Sequence, residues 1–210
     1  EFKEKTENFV KNLELDETLG QLLVAENEAR IYRNFIQGAG SRAIGVGYPG
    51  GLNLAYDANN MRIAMLWLGD FIDAKRHWNG RGQGYQPPAG ESVINGPPGV
   101  PFATINDSKE PWPDSLVRKE NAQLPPVKGG YIFNGYRLTG QERIPTFRYT
   151  FGALSIEDIP SPQGSFESSE FSFKRILKIK GDPVKNLYFR AASGQSIELT
   201  DDDTYLIDDS

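Results

Sequence analysis

Residues Gly51 to Gly69 read GLNLAYDANNMRIAMLWLG, two β-rich runs on either side of the link Asp57-Ala58-Asn59-Asn60. Asx side chains bond back to their own backbone and favour tight turns, so the stretch predicts a hairpin with strands Leu52 to Tyr56 and Ile63 to Leu68. An oxygen-ligand cation site at Asp57 and Asn59 would need the further carboxylates of a calcium loop, and the spacing lacks them. The hairpin reading makes antiparallel pairing the organising feature of the chain.

Upstream, Ala29 to Phe35 alternates Ile31, Arg33 and Phe35 with Arg30, Tyr32 and Asn34, a period of two that marks a strand. Arg42 to Val46 reads as the next strand, and Tyr48-Pro49-Gly50-Gly51 as the turn into the hairpin. Gly38, Gly40 and Ala43 match the spacing of a dinucleotide fingerprint, but that motif needs a helix N-terminus to face the pyrophosphate. The following AIGVGYPGG would break any helix, which removes nucleotide binding. Phe9, Leu13, Leu19, Leu22 and Leu23 recur at near-helical spacings with no Pro between Phe2 and Ala25, which predicts a helix within an arm over residues 1–28.

Downstream, residues 79–126 are rich in Pro and Gly without sustained periodicity, apart from VPFATI at Val100 to Ile105. They read as long ordered loops anchored by Tyr85, Phe102 and Trp112. After Gly129 come YIFNGYRL, PTFRYTFG, LSIEDI, EFSFKRILKIK, NLYFRA, SIEL and TYLI, short strands without helical crossovers. That spacing predicts an all-β antiparallel β-sandwich as one domain over residues 29–210.

Composition narrows the function. A net charge of -5 gives no electrostatic reason to expect nucleic acid or an anionic membrane. The absence of Cys excludes disulfides, thiolate metal sites, a cysteine nucleophile and covalent haem attachment, so no cofactor is expected. No apolar run approaches the roughly 20 residues of a membrane span.

Functional side chains concentrate between Trp67 and Gly90, WLGDFIDAKRHWNGRGQGYQPPAG, which carries the only His and two of the three Trp. Trp67, Asp70, Asp73, His77, Trp78, Arg81 and Tyr85 are the candidate binding residues. On a helix Asp70, Asp73, His77 and Arg81 would share a face, a geometry open to acid/base work, water activation or a divalent metal. Gly69 and Gly80 interrupt such a helix, and a single His equally serves to fasten a loop. The aromatic residues offer apolar faces to the C–H surfaces of sugars, with Asp, Asn and Arg for the hydroxyls.

The segments IYRNFIQGAGSRAIGVGYPGGLNLAYDANNMRIAMLWLGDFIDAKRHWNGRGQG, FNGYRLTGQERIPTFRYTFG, FKRILKIKG and LYFRAASG resemble a domain of large exported proteins of environmental bacteria. In those proteins the domain accompanies c-type cytochrome modules and sugar-dehydrogenase-like propellers. The resemblance implies a periplasmic or secreted setting and a neighbouring c-type cytochrome module carrying its own haem. The C-terminal half also looks like the sandwich domains of mutarotase-like, sugar-handling proteins, whose enzymes use more than one His where this chain has one. The expectation is therefore a non-catalytic accessory domain that binds saccharide or docks a redox partner. The alternative is a carbohydrate-active hydrolase or lyase using Asp70, Asp73 and His77.

Overall fold

The computed structural model describes residues 20–78, 84–107, 109–113, 130–164, 171–200 and 204–208. Strands β1 (Arg30–Ile36), β2 (Gly40–Gly47), β3 (Leu52–Asp57), β4 (Arg62–Leu68) and β5 (Glu91–Asn95) pair in that order as an antiparallel sheet. The Asp57 turn joins β3 to β4 as the sequence predicts. Asp57 Oδ1 accepts the Asn59 and Asn60 backbone N–H groups at 2.9 and 3.3 Å, and Oδ2 accepts Asn60 Nδ2–H at 2.6 Å. The carboxylate is spent on the turn, as Asx chemistry requires.

A second antiparallel sheet runs β7 (Tyr131–Thr139), β8 (Ile144–Phe151), β9 (Leu154–Gly164), β10 (Phe171–Lys180), each strand beside its sequence neighbours. The two sheets pack face to face, so the fold is an all-β sandwich. Ile44, Val46, Leu54 and Tyr56 meet Tyr131, Phe147, Tyr149 and Ile156 in one buried cluster. The Tyr56 and Phe147 rings stack at 3.8 Å between centroids and 5° between planes. Tyr48 Oη donates to the Pro160 carbonyl at 2.8 Å, tying the sheets together at one end.

Inside this interface Arg175 makes a bidentate pair with the fully buried Asp158, Nε–Oδ1 2.9 Å and Nη2–Oδ2 2.5 Å. The fork geometry suits the planar guanidinium, which also lies 5.2 Å over the Phe189 ring. Burial alone would lower the Arg175 pKa, but the hydrogen bond and charge of Asp158 outweigh it and the net shift is upward.

The middle of the first sheet is buried on both faces. Every residue of β3 is buried, and the side chains facing away from the second sheet form another cluster with Ala43, Ala55, Ala64, Met65 and Trp67. A β-bulge helps: Ala55 pairs with Met65 and Tyr56 with Ile63, so Ala64 is the extra residue and both Ala64 and Met65 serve this back face. Phe71, Ile72, Ala74 and Leu22 cover it. Burying Phe71 and Ile72 contributes about 1.5–3 kcal/mol each relative to exposure.

Three expectations are corrected. Gly20 to Ala25, the end of the predicted helix, is extended instead: Gln21 bridges Asp73 and Leu22 N–H donates to the Ile72 carbonyl at 2.8 Å, because Leu22 is needed on the back face. The rest of that helix, residues 1–19, lies outside the described residues. Within the predicted loop region Glu91–Asn95 is a strand, since the open edge of β4 accepts it although its side chains are all exposed. NLYFRA, SIEL and TYLI do form strands, but β11 (Leu187–Phe189) pairs with β6 (Phe102–Thr104) and β12 (Ile197–Leu199) with β13 (Tyr205–Ile207), as two small ladders outside the main sheets. Tyr131 Oη secures β6 by accepting Phe102 N–H at 2.8 Å and donating to its carbonyl at 2.6 Å.

Buried phenols make this core sensitive to alkali. Burial pushes Tyr48, Tyr56 and Tyr149 well above the usual tyrosine range, and the negative charge of Asp158 adds to it. Unfolded phenols ionise near pH ~10 while the folded ones stay protonated, so the unfolded chain binds fewer protons above that point and stability falls. The contribution is complete below about pH 10 and is lost as pH rises beyond it. The expected outcome is a melting temperature that drops steeply above about pH 10, with phenolate absorbance from these residues appearing only as the fold opens. A flat melting temperature across that range would contradict the assignment.

Candidate functional site

Gly69 adopts a positive φ of 84° and turns the chain out of β4. Its N–H donates to the Gly51 carbonyl at 2.8 Å, and buried Asn53 Nδ2 donates to the Gly69 carbonyl at 3.0 Å. From this knot residues 70–74 lie across the back face as a strap. Ala74 N–H donates to the Gly20 carbonyl at 2.6 Å, joining the strap to the Gly20–Leu22 segment. Asp73 Oδ1 accepts Lys75 N–H at 2.8 Å and so caps the single-turn helix α1 (Lys75–Trp78), where the first N–H groups lack partners of their own.

His77 holds this turn to the sheet. Its Nε2 faces the Gly84 carbonyl at 2.8 Å, and a carbonyl can only accept, so Nε2 carries the proton. Nδ1 then accepts the Tyr32 hydroxyl at 2.7 Å, and Tyr32 Oη accepts Asn34 Nδ2–H at 3.0 Å. Partial burial pushes the Tyr32 phenol up, the Asn34 hydrogen bond lowers it, and the Asp73 charge raises it further, with a net rise. Tyr32 therefore remains a donor across the neutral range. Gln86 continues the attachment: its N–H donates to the Phe35 carbonyl and its carbonyl accepts Gln37 N–H, both at 2.9 Å.

The predicted site residues divide sharply. Trp67 is 1% exposed, packs on Phe71 with ring planes 9° apart, and donates Nε1–H to the Asp70 and Phe71 carbonyls at 2.9 and 3.2 Å. Its side chain is a core residue and not part of an open site, because the alternation of β4 points it at the back face. Trp78 is 58% exposed and Tyr85 43%. Phe35, 42% exposed, lies 5.7 Å from Tyr85 between ring centroids. Phe35 and Tyr85 thus form an exposed aromatic ledge at the edge of β1, with Arg76 Nη1 reaching the Tyr85 carbonyl at 3.5 Å, while Trp78 is exposed separately at the end of α1. Asp70 is exposed, and Arg81 lies outside the described residues.

Asp70, Asp73 and His77 do not share a helical face, since α1 begins only at Lys75. Asp73 is committed to its cap and both His77 nitrogens to hydrogen bonds. Among the described residues no group of three His, Cys, Asp or Glu is placed to hold a metal ion. Nor is any described helix long and apolar enough to cross a membrane. Sequence reasoning missed Tyr32, Asn34 and Phe35. The alternation of β1 separates Tyr32 and Asn34 from Phe35, but nothing local pairs Tyr32 with a histidine 45 positions away.

A family model described as a domain of unknown function (DUF6797) matches residues 54–158, half of the chain. The chain belongs to that family. The match opens in β3 and closes in β9 at the buried Asp158, so the family's span takes in the strap, α1 with Trp78, and Tyr85. No curated protein and no solved structure matches the chain.

The histidine fastening has a spectroscopic signature. Long-range proton–nitrogen correlation is expected to show neutral His77 as the Nε2–H tautomer. Tyr32→Phe, which leaves Nδ1 without its donor, is expected to destabilise the fold by about 1 kcal/mol and to speed amide exchange at Gln86. An Nδ1–H tautomer would contradict the arrangement.

Proposed function

We propose that this domain is a non-catalytic binding module that receives saccharide on the exposed rings of Phe35, Tyr85 and Trp78. The observation that carries this reading is the exposure of three aromatic rings on backbone tied down from both sides. The His77 bonds hold α1, and the Gln86 bonds hold the Tyr85 segment. Scattered exposed apolar side chains are ordinary on protein surfaces. A rigid aromatic ledge differs, because a pyranose ring can lay its C–H face on it with little further ordering of the protein. Arg76 beside the ledge supplies a donor for hydroxyl groups.

The hydrolase or lyase reading draws no support from the geometry, since Asp73 and His77 are engaged by the protein itself. A periplasmic or secreted protein with a c-type cytochrome module next to this domain is the setting we propose for it, on the resemblance of its sequence segments. In that setting the ledge would hold the larger protein to a polysaccharide. Docking of a redox partner is the competing use of the same surface.

Calorimetry against a panel of soluble neutral and acidic polysaccharides is the test. At least one is expected to bind, and Trp78→Ala is expected to weaken that binding about tenfold, equivalent to ~1.4 kcal/mol, without changing the melting temperature. Failure of every polysaccharide to bind would refute the proposal, as would unaltered binding by Trp78→Ala.

A further inference from the structure

Beside the ledge lies a shallow groove of about 290 Å³ lined by Arg33, Phe35, Ser41, Arg42 and Phe133 among others. Asn34 pairs with Ala43 and Ile36 with Gly40, so a β-bulge sets Phe35 against Ser41 and Arg42. Arg33 precedes Phe35 by two positions and therefore points to the same face. The result is two guanidinium groups flanking the ring that Tyr85 contacts.

We propose that the saccharide held by this domain is acidic, a polyuronate whose carboxylates enter the groove between Arg33 and Arg42. The proposal rests on the reading of the ledge given above and names its ligand class. Both arginines are exposed, and neither guanidinium has a hydrogen-bond or ion-pair partner among the described residues. Elsewhere Arg62, Arg137, Arg143 and Arg175 each meet a carboxylate. In a chain of net charge -5, two neighbouring uncompensated cations create a local field opposite in sign to that of the molecule. Arginine's planar fork accepts a carboxylate through two parallel N–H···O bonds, a geometry lysine lacks. A uronate places a carboxylate at the rim of a pyranose ring, so one sugar can rest its face on Phe35 while its carboxylate meets a guanidinium. A neutral sugar would leave both cations unused.

The probes are polygalacturonate, its fully methyl-esterified form, a sulfated galactan and single-stranded DNA, each titrated calorimetrically into the wild-type domain, Arg33→Gln, Arg42→Gln and the double variant. Polygalacturonate is expected to bind at least tenfold more tightly than the methyl ester, to weaken with added salt, and to lose at least tenfold in the double variant. The ester is expected to bind all variants alike. Equal binding of acid and ester would overturn this proposal and leave the ledge reading standing, whereas failure of every probe would overturn both. Tighter binding of the sulfated galactan or of DNA would overturn the choice of a carboxylate ligand. Unchanged melting temperatures in the variants show that any loss comes from the groove and not from unfolding.

Discussion

The first sheet is apolar on both faces, and the rest of the molecule follows from that. A sandwich needs each sheet to bury one face, and β3 buries two: Leu54 and Tyr56 toward the second sheet, Ala55 toward the back. Water on the back face would leave Trp67, Met65 and Ile36 exposed together, a patch that water disfavours. The chain must therefore supply a cover, and it does so from the residues that follow β4. Gly69 reverses direction, Asn53 pins the reversal, and Phe71, Ile72 and Ala74 descend onto the sheet.

The cover also determines what the surface presents. Residues of the strap that face inward are consumed by packing, and the polar ones nearby are consumed by closing the backbone: Asp73 caps α1, and His77 bridges Tyr32 and Gly84. What remains outward includes aromatic and cationic side chains. Trp78 leaves the end of α1, Tyr85 meets Phe35 at the margin of β1, and Arg33 and Arg42 extend from the same face of neighbouring strands. A stretch whose composition suggests catalysis thus spends Asp73 and His77 on architecture, and its remaining exposed rings support a binding role.

Much of the fold was legible because the signals were local. The Asp57 turn, the alternation of β1 and the separated runs after Gly129 each declare a strand or turn within a few residues. The two-sided burial of β3 was not legible, since LNLAYD carries an Asn and an Asp that imply a solvated face. In fact Asn53 is buried to hold the Gly69 reversal, and Asp57 is buried to close its own turn. Leu22 and Leu23 continue the helical spacing of Phe9, Leu13 and Leu19, yet tertiary pairing of Gln21 and Leu22 with the strap overrides it, as often happens to a weak local preference. The strand Glu91–Asn95 was hidden because both its faces are exposed, leaving no alternation to read. In the site, composition located the right region but not the roles. Trp67 and Trp78 look equivalent in sequence, and only the direction of β4 separates them. The partner of His77 comes from another strand, beyond the reach of local pattern.

The three tryptophans make that separation of inner from outer aromatics measurable. Solvent paramagnetic relaxation of the indole N–H resonances, assigned through single Trp→Phe variants, reads the accessibility of each ring directly. Strong broadening is expected at Trp78 and almost none at Trp67, whose Nε1–H is bonded to the strap backbone. Comparable broadening of the two would mean that the strap does not cover the back face, and would contradict both the fold's two-sided burial and the ledge built upon it.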